Sequence, residues 1–514
     1  MSGAGFGWRD MGDRIAAVLP DDDDPLTYAV LERRSVQLAG LLHDRGLRPG
    51  DRVAILMENS LDWFAAMWGV RRAGMLFVPV NWHLHPAEVR YVLENSDARA
   101  LLTGAQTRQV AADASRDLPQ LTLRLVSGSA GDGFESLEHA IAAVPSVSQA
   151  SEPDGGAMPY SSGTTGHPKG ILRPLRGAKF GTRTELEDML IDEYDLDSET
   201  VYLSPGPLYH SAPVAWTNAV QAAGGKIVVL PRFDAEDALA AIEQYGVTHA
   251  QFVPTHFVRM LGLPASARQR HDLSSLRKVV HAAAPCPPTV KQAMIAWLSP
   301  IVFEYYSGSE RCGFTAIDSH EWLARPGSVG TCRNGAIHVL DDAGIEQPPG
   351  TIGQIYFDRP VPFTYHKAAA QALDVRGWGT FGDIGHVDDA GYLFLADRRS
   401  DLILSGGVNI YPQEVENRLA EHPAVADVAV IGVPHAEFGQ AVKAVVQLVE
   451  DIAPPSAAEL IAFVKGGIAS FKAPRSVDFI DVIPRQPNGK LLRRTVRERY
   501  LAGTTPSAEQ DSAP

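Results

Sequence analysis

The stretch Tyr160-Ser-Ser-Gly-Thr-Thr-Gly-His-Pro-Lys-Gly170 decides how the rest of the chain is read. Its small residues let backbone N–H groups approach an anion closely. Ser161, Ser162, Thr164 and Thr165 add hydroxyls, and Lys169 adds a positive charge. The run is not a Walker A loop, which needs Gly directly before the Lys; Pro168 stands there instead. A flexible Ser/Gly linker is the plain alternative, but linkers seldom carry paired Thr followed by a placed Pro-Lys-Gly. The segment therefore reads as a phosphate-binding turn.

On either side of it, apolar strands alternate with helices. Thr27 to Arg45 has apolar residues on one face, with Gly46 placed as a C-terminal cap. Asp51–Leu56 is a strand, Leu61–Ala73 a helix stopped by Gly74, and Leu76–Val80 a strand again. Further on come strand Lys226–Leu230, a helix from an Asp234 cap to Tyr245, and strands Thr248–Val253 and Lys278–Ala282. Such alternation predicts right-handed βαβ units and a mostly parallel sheet. Residues 105–150 are less legible, and no chemistry is assigned to them. The acidic run Asp21–Asp24, followed by Pro25, reads as a solvated loop.

The last hundred residues change character. Pro412–Glu421 is a short helix with Pro in its first turn. Val425–Val433 and Ala441–Val449 are strands. Ser456-Ala-Ala-Glu459 is a capping box for a helix to Ala469, and Ser476–Ile483 is a last strand. The fold class is thus α/β: a large N-terminal domain of mixed sheets and helices, residues 1–399, and a smaller mobile C-terminal α+β domain, residues 400–500. The boundary is drawn at the charged stretch Asp397–Asp401. Residues 501–514 are expected to be a disordered tail, since Thr504–Pro514 lacks aromatic and aliphatic residues.

Composition narrows the function. Lys and Arg number 46 against 61 Asp and Glu, a net charge of −15, which argues against a nucleic-acid binder. No run of 18 apolar residues exists, so no membrane span is expected, and the first residues lack the apolar core of a secretory signal. Three scattered cysteines (Cys286, Cys312, Cys332) are too few for a disulfide framework or a zinc site. A cytoplasmic location is the expectation, with small molecules as partners and a homodimer left open.

Further motifs follow the phosphate turn: Pro207-Leu-Tyr-His210, Ala282-Ala-Ala-Pro285, Tyr306-Ser-Gly-Ser-Glu310, Gly377-Trp-Gly-Thr-Phe-Gly-Asp383, Asp397-Arg398, Ser405-Gly-Gly407 and Pro487-Asn-Gly-Lys490. In this order they resemble the adenylate-forming superfamily of acyl- and aryl-CoA synthetases, adenylation domains and luciferases, over nearly the whole chain. The resemblance implies ATP and Mg2+ as cofactors and CoA as co-substrate. It assigns nucleotide contacts to Ser161, Ser162, Gly163, Thr164, Thr165, Gly166, Lys169, Ala283, Tyr306, Ser309, Asp383 and Arg398. Thr164, Thr165 and Lys169 suit the pyrophosphate side. Thr165 and Glu310 would hold magnesium, because a hard cation takes oxygen ligands. Asp383 would accept the ribose hydroxyls, and Ser309 would touch the α-phosphate. Lys490 would bridge carboxylate and α-phosphate, joining Glu310, Lys169 and Thr165 as the catalytic set. Ser400 aligns with the pivot of the small domain, and Gly406 and Gly407 with a pantetheine channel.

His210 resembles the gate between that channel and the acyl pocket. Trp216, Asn218, Arg311 and Cys312 are the substrate candidates, with Phe252, Val253, His256, Ala282, Gly313 and Phe314 as further pocket residues. His83 and His85 read as structural. One departure stands out: the CoA-forming branch has a small residue after the Glu, and here Arg311 follows Glu310. In an extended segment neighbours point to opposite sides, so Arg311 would point away from magnesium unless Cys312-Gly313 turns the chain. The leading expectation is ATP-dependent adenylation of an aryl or medium acyl acid followed by CoA thioester formation. One alternative is a diazotase that activates nitrite for attack by an aromatic amine. Another is an inactive nucleotide-binding protein, which the intact Lys169, Glu310, Asp383 and Lys490 disfavour. No carrier-protein segment follows the C-terminal domain, which disfavours an assembly-line module.

Overall fold

The computed structural model describes residues 6–20, 22–146, 152–161, 168–367, 373–398, 401–405, 408–435, 439–450, 452–468, 470–486 and 489–501. Ser162, Gly163, Thr164, Thr165 and Gly166, the pivot Ser400, the channel glycines Gly406 and Gly407 and the tail 504–514 lie outside them.

The first sheet is parallel throughout. Its strands run in the order Glu135–Ser136, Leu123–Val126, Ala98–Thr103, Arg52–Leu56, Leu76–Pro79 and Gly156–Ala157. Residues 105–150, unread from sequence, supply the two strands at one edge and the helix Arg108–Ser115. The helix Tyr28–Asp44 starts where Thr27 accepts a bond from the Val30 N–H. It stops at Gly46, whose φ of 84° lets the Leu47 N–H reach back to the Leu42 carbonyl. Leu61–Arg72 packs on it and buries Trp63, Phe64, Met67 and Trp68 completely. Each such side chain contributes about 1.5–3 kcal/mol. A Cβ at Gly69 would lie 2.7 Å from Leu38, so alanine there would force the two helices apart.

The second sheet begins parallel, through Ile15–Val18, Lys226–Val229, Val201–Ser204, His249–Phe252, Lys278–His281 and Val302–Ser307. It continues antiparallel through Phe314–Ile317, Ser328–Cys332, Leu393–Arg398, Asp383–Val387, Gly353–Phe357 and Ile337–Leu340. A small third sheet joins Tyr160–Ser161, Lys169–Leu172 and Thr364–Tyr365. The carboxyl ends of the parallel strands, where ligands bind in open α/β sheets, carry the loops after Phe252, His281 and Ser307.

The chain changes sheet between Arg398 and Ile403. From there Ile403–Ser405, Val408–Ile410, Val425–His435, Gly439–Leu448 and Ser476–Phe479 form a separate sheet. The helices Pro412–Ala420 and Ala457–Lys465 share its core through Val415, Leu419, Leu460 and Val464. The Ser456–Glu459 capping box forms, but the helix stops at Lys465 rather than Ala469 because Gly466-Gly467 follows. No helix among the described residues is long and apolar enough to cross a membrane.

Candidate active site

Residues of both domains line one continuous cavity of about 3330 Å³. The strands flanking the phosphate turn pair antiparallel at the cavity, with Lys169 opposite Ser161 and Gly170 opposite Tyr160. Its base is pinned from outside: the Tyr160 hydroxyl donates to Asn95 Oδ1 at 2.7 Å, and Tyr91 donates to the Pro168 carbonyl at 3.1 Å. Lys169 Nζ lies 5.5 Å from the ring centroid of Tyr365, whose hydroxyl donates to Glu310 Oε1 at 3.3 Å. Tyr365 thus links the two charges expected at the pyrophosphate. Sequence reading missed it because it arrives on a two-residue strand, Thr364–Tyr365, with no motif of its own.

Glu310 and Arg311 sit in a turn, not an extended segment. The Arg311 N–H donates to the Gly308 carbonyl at 3.0 Å, and Arg311 has a φ of 56°. The turn occurs at Arg311 itself, so the expectation that it points opposite to Glu310 as in a strand does not apply. Ser307 Oγ closes the loop onto the Gly313 carbonyl at 2.7 Å. Ser309 Oγ pairs with Ser211 Oγ at 2.8 Å, and Arg173 donates to the Ser309 carbonyl. Burial lowers the Arg173 pKa to about 9, with the Arg311 charge adding to the effect. Burial likewise lowers Arg311 to about 10; Glu187 opposes this, while Arg71 and Arg176 reinforce it.

The nucleoside end is built on the antiparallel strands. The Tyr306 hydroxyl donates to Asp383 Oδ2 at 2.5 Å, and Asp383 is buried. Asp383 stands opposite Arg398 in register, so the two strands bring both motif residues to one place. Tyr306 meets Phe381 edge to face at 5.4 Å. Ala283 takes a φ of 73°, and it lines the cavity in the loop after Lys278–His281. Beneath this wall lies a buried ion pair that the sequence did not disclose, Lys291 Nζ to Glu304 Oε2 at 2.6 Å.

At the domain interface, Lys490 ends a tight hairpin. The Gln486 N–H donates to the Lys490 carbonyl and the Gly489 N–H to the Gln486 carbonyl, both at 2.8 Å. Arg485 braces it, donating to Gly489 O at 2.9 Å and to both Asp427 oxygens at 2.7 Å. Gly489 has a φ of 79°, and a Cβ there would lie 2.4 Å from Thr255 Oγ1. The hairpin is therefore seated on the N-terminal domain, with the Lys490 charge within electrostatic reach of His210. Burial, then the Lys490 and His83 charges, lower the His210 pKa to about 4, so its imidazole is neutral near pH 7. Trp82, His83, Tyr209 and His210 form a continuous aromatic group, with Trp82–His83 at 3.6 Å and Tyr209–His210 at 4.4 Å. His85 is structural as expected, capping the helix Pro86–Asn95. His83 meets the Tyr209 ring edge to face at 6.4 Å.

The pocket candidates divide. Asn218, Val253, His256, Gly313 and Phe314 line the cavity. Trp216 lies at its floor, fully buried and stacked on Tyr202 at 5.6 Å. Phe252 and Ala282 belong to the core. Cys312 is a correction: it packs with Ile171, Val329 and Phe357, and its thiol faces the Thr380 carbonyl, because the Arg311 turn rotates it inward.

Two family models match the chain: AMP-binding enzyme over residues 8–364, and AMP-binding enzyme C-terminal domain over 414–490. The chain belongs to the adenylate-forming enzymes. Among the similar proteins is the fatty acid–[acyl-carrier-protein] ligase ScoC of Streptomyces coeruleorubidus, 32% identical over 489 residues and 92% of each chain. A feruloyl-CoA synthase of Amycolatopsis sp is 33% identical over 482 residues, covering 92% of this chain and 94% of the other. ATP-bound MatB from Rhodopseudomonas palustris superposes with a TM-score of 0.83 at 27% identity, covering 97% of this chain and 99% of the other. Its apo form superposes with a TM-score of 0.74 at 28% identity. This adenylate-forming enzyme is an ATP-dependent ligase of the acyl- and aryl-CoA ligase kind. Its relatives favour neither the diazotase nor the inactive reading.

Proposed function

We propose that this adenylate-forming enzyme activates a small aryl or medium-length acyl carboxylic acid with ATP and passes the acyl group to CoA. The observation that carries the reading is the seated hairpin. It holds Lys490 at the cavity within electrostatic reach of His210, while Lys169 and Glu310 flank Tyr365 and Tyr306 meets Asp383.

In the first step a carboxylate oxygen attacks the α-phosphorus, and the bond to pyrophosphate breaks. Lys490 supplies a compact cation to the crowded phosphorus, and Lys169 supplies one to the departing pyrophosphate. Neutral His210 walls the acyl side without repelling Lys490. Asp383, held by Tyr306, accepts from the ribose hydroxyls and fixes the nucleotide. In the second step the CoA thiol loses its proton to solvent, its sulfur bonds the acyl carbonyl carbon, and the bond to AMP breaks, leaving the thioester. The donor set fits magnesium: one carboxylate, Glu310, has an oxygen bonded only by a phenol, and no cluster of three acidic, His or Cys side chains occurs among the described residues. Magnesium is held through one or two carboxylates plus substrate phosphates rather than by a protein cage. When bound it would neutralise phosphate charge, with Glu310 and Thr165 as its protein ligands.

The test is pyrophosphate release over a panel of aryl and acyl acids, with and without CoA. Acid-dependent release, with a CoA-dependent thioester product, is expected. Release that needs no acid would refute the reading.

A further inference from the structure

The corner of the cavity where the strand Lys169–Leu172 ends holds more positive charge than the protein neutralises. Arg71 donates to Asp154 at 2.8 and 3.1 Å and to Glu187 Oε1 at 2.6 Å. Arg176 donates to Asp154 Oδ2 at 2.5 Å, and the Thr184 N–H takes Glu187 Oε2 at 2.6 Å. Every oxygen of Asp154 and Glu187 is thus engaged, and these two acids balance Arg71 and Arg176. Arg173 and Arg311 remain. Arg173 bonds only a neutral carbonyl, that of Ser309, and its Nε is buried with no partner. The Arg311 guanidinium has no hydrogen-bond or ion-pair partner among the described residues, yet both side chains line the cavity. The Glu310 charge acts on Arg173 across space, but the hydrogen bond Glu310 accepts comes from the Tyr365 hydroxyl.

Two guanidiniums on one cavity wall repel each other, and an anion placed between them relieves that repulsion. Arg311 also stands in a left-handed backbone position that glycine would take more easily, so its side chain is retained against a local preference. We propose that Arg311 and Arg173 bind a second carboxylate on the acid being activated. This rests on the ligase reading above and names its substrate class: a diacid. Arg173 donates to the Ser309 carbonyl, Ser309 pairs with Ser211 next to His210, and Arg311 is two residues from Ser309, so both cations belong to the loop expected at the reacting phosphate. Short aliphatic and single-ring diacids are therefore the first probes. A simple apolar acid would instead leave both guanidiniums without an anionic partner.

The experiment uses the full-length enzyme with ATP and magnesium and measures pyrophosphate release for two matched pairs: succinate against butyrate, and isophthalate against benzoate. The diacid is expected to have the higher kcat/KM in at least one pair, by about tenfold to a hundredfold, the range for a charge-assisted bond. Arg311→Gly, which suits the backbone, should abolish or reverse that preference, and Arg311→Lys should keep part of it. The KM for ATP should stay within about twofold in both variants. A wild-type enzyme that turns over the monoacids and ignores the diacids overturns the inference and leaves the ligase reading standing. So does Arg311→Gly with an unchanged ranking. A raised KM for ATP or CoA with the ranking intact assigns the cations to a phosphate instead and also overturns it. Acid-independent behaviour throughout removes the ligase reading itself, and this inference with it.

Discussion

Replacing Lys490 with alanine separates the two half-reactions. The substitution spares the hairpin, because its bonds are made by the Lys490 carbonyl, the Gly489 and Gln486 backbone and the Arg485 guanidinium, none of which is lost. What disappears is one cation at the cavity. A unit charge about 4 Å from another in a partly buried site is worth about 4 kcal/mol. Removal of one preorganised donor costs about 2.7–4 kcal/mol in rate, or about 100- to 1000-fold. Adenylate formation, followed by pyrophosphate exchange into ATP, should fall by that factor. Thioester formation from supplied acyl-AMP and CoA should fall by less than about tenfold, since no phosphorus is attacked in that step. Circular dichroism and the unfolding midpoint should match the parent. Equal loss in both half-reactions would refute the assignment of Lys490 to the first.

Gly489→Ala should slow adenylation about tenfold or more while leaving Lys490 in place, because the added Cβ collides with Thr255 and lifts the hairpin; normal exchange kinetics would contradict the seating described here. Arg71→Met should lower unfolding free energy by about 3–5 kcal/mol in denaturant titration, as it leaves Asp154 and Glu187 buried with one cation fewer. Acid should destabilise the fold between about pH 6.5 and pH 4. His210 and His249 are held at about 4 and His256 at about 3, each chiefly by burial. The folded state therefore refuses protons that the unfolded chain takes up as pH falls through about 6.5. Each of these histidines costs about 2 kcal/mol at pH 5 relative to pH 7. A denaturation midpoint that holds constant from pH 7 to pH 5 would count against those buried neutral imidazoles.

Local signals carried the secondary structure. Thr27 and Gly46 bound the first long helix, Asp234 and the Ser456–Glu459 box start their helices, and Pro412 opens its own. These are interactions within one turn of chain, so a short window contains them. The motifs also stood in readable order, because phosphate, carboxylate and lysine chemistry needs particular residue types. Cavity and core, by contrast, could not be told apart along the chain. Phe252 and Cys312 are as apolar as their neighbours, and only the packing of Phe357 and the turn at Arg311 sends Cys312 inward.

The sequence by itself determined an α/β chain with a distinct C-terminal unit, and the residue types able to handle ATP and a carboxylate. The tertiary structure alone decided which of those residues meet. It joined Tyr365 to Glu310, brought His83 to Tyr209 and set Gly489 on Thr255. It also spent Asp154 and Glu187 on Arg71, residues 83 and 116 positions away, and left Arg173 and Arg311 facing the cavity. The reason is physical: hydrophobic periodicity and caps act over a few residues, whereas the balance of buried charge depends on which distant strands and helices the core brings side by side.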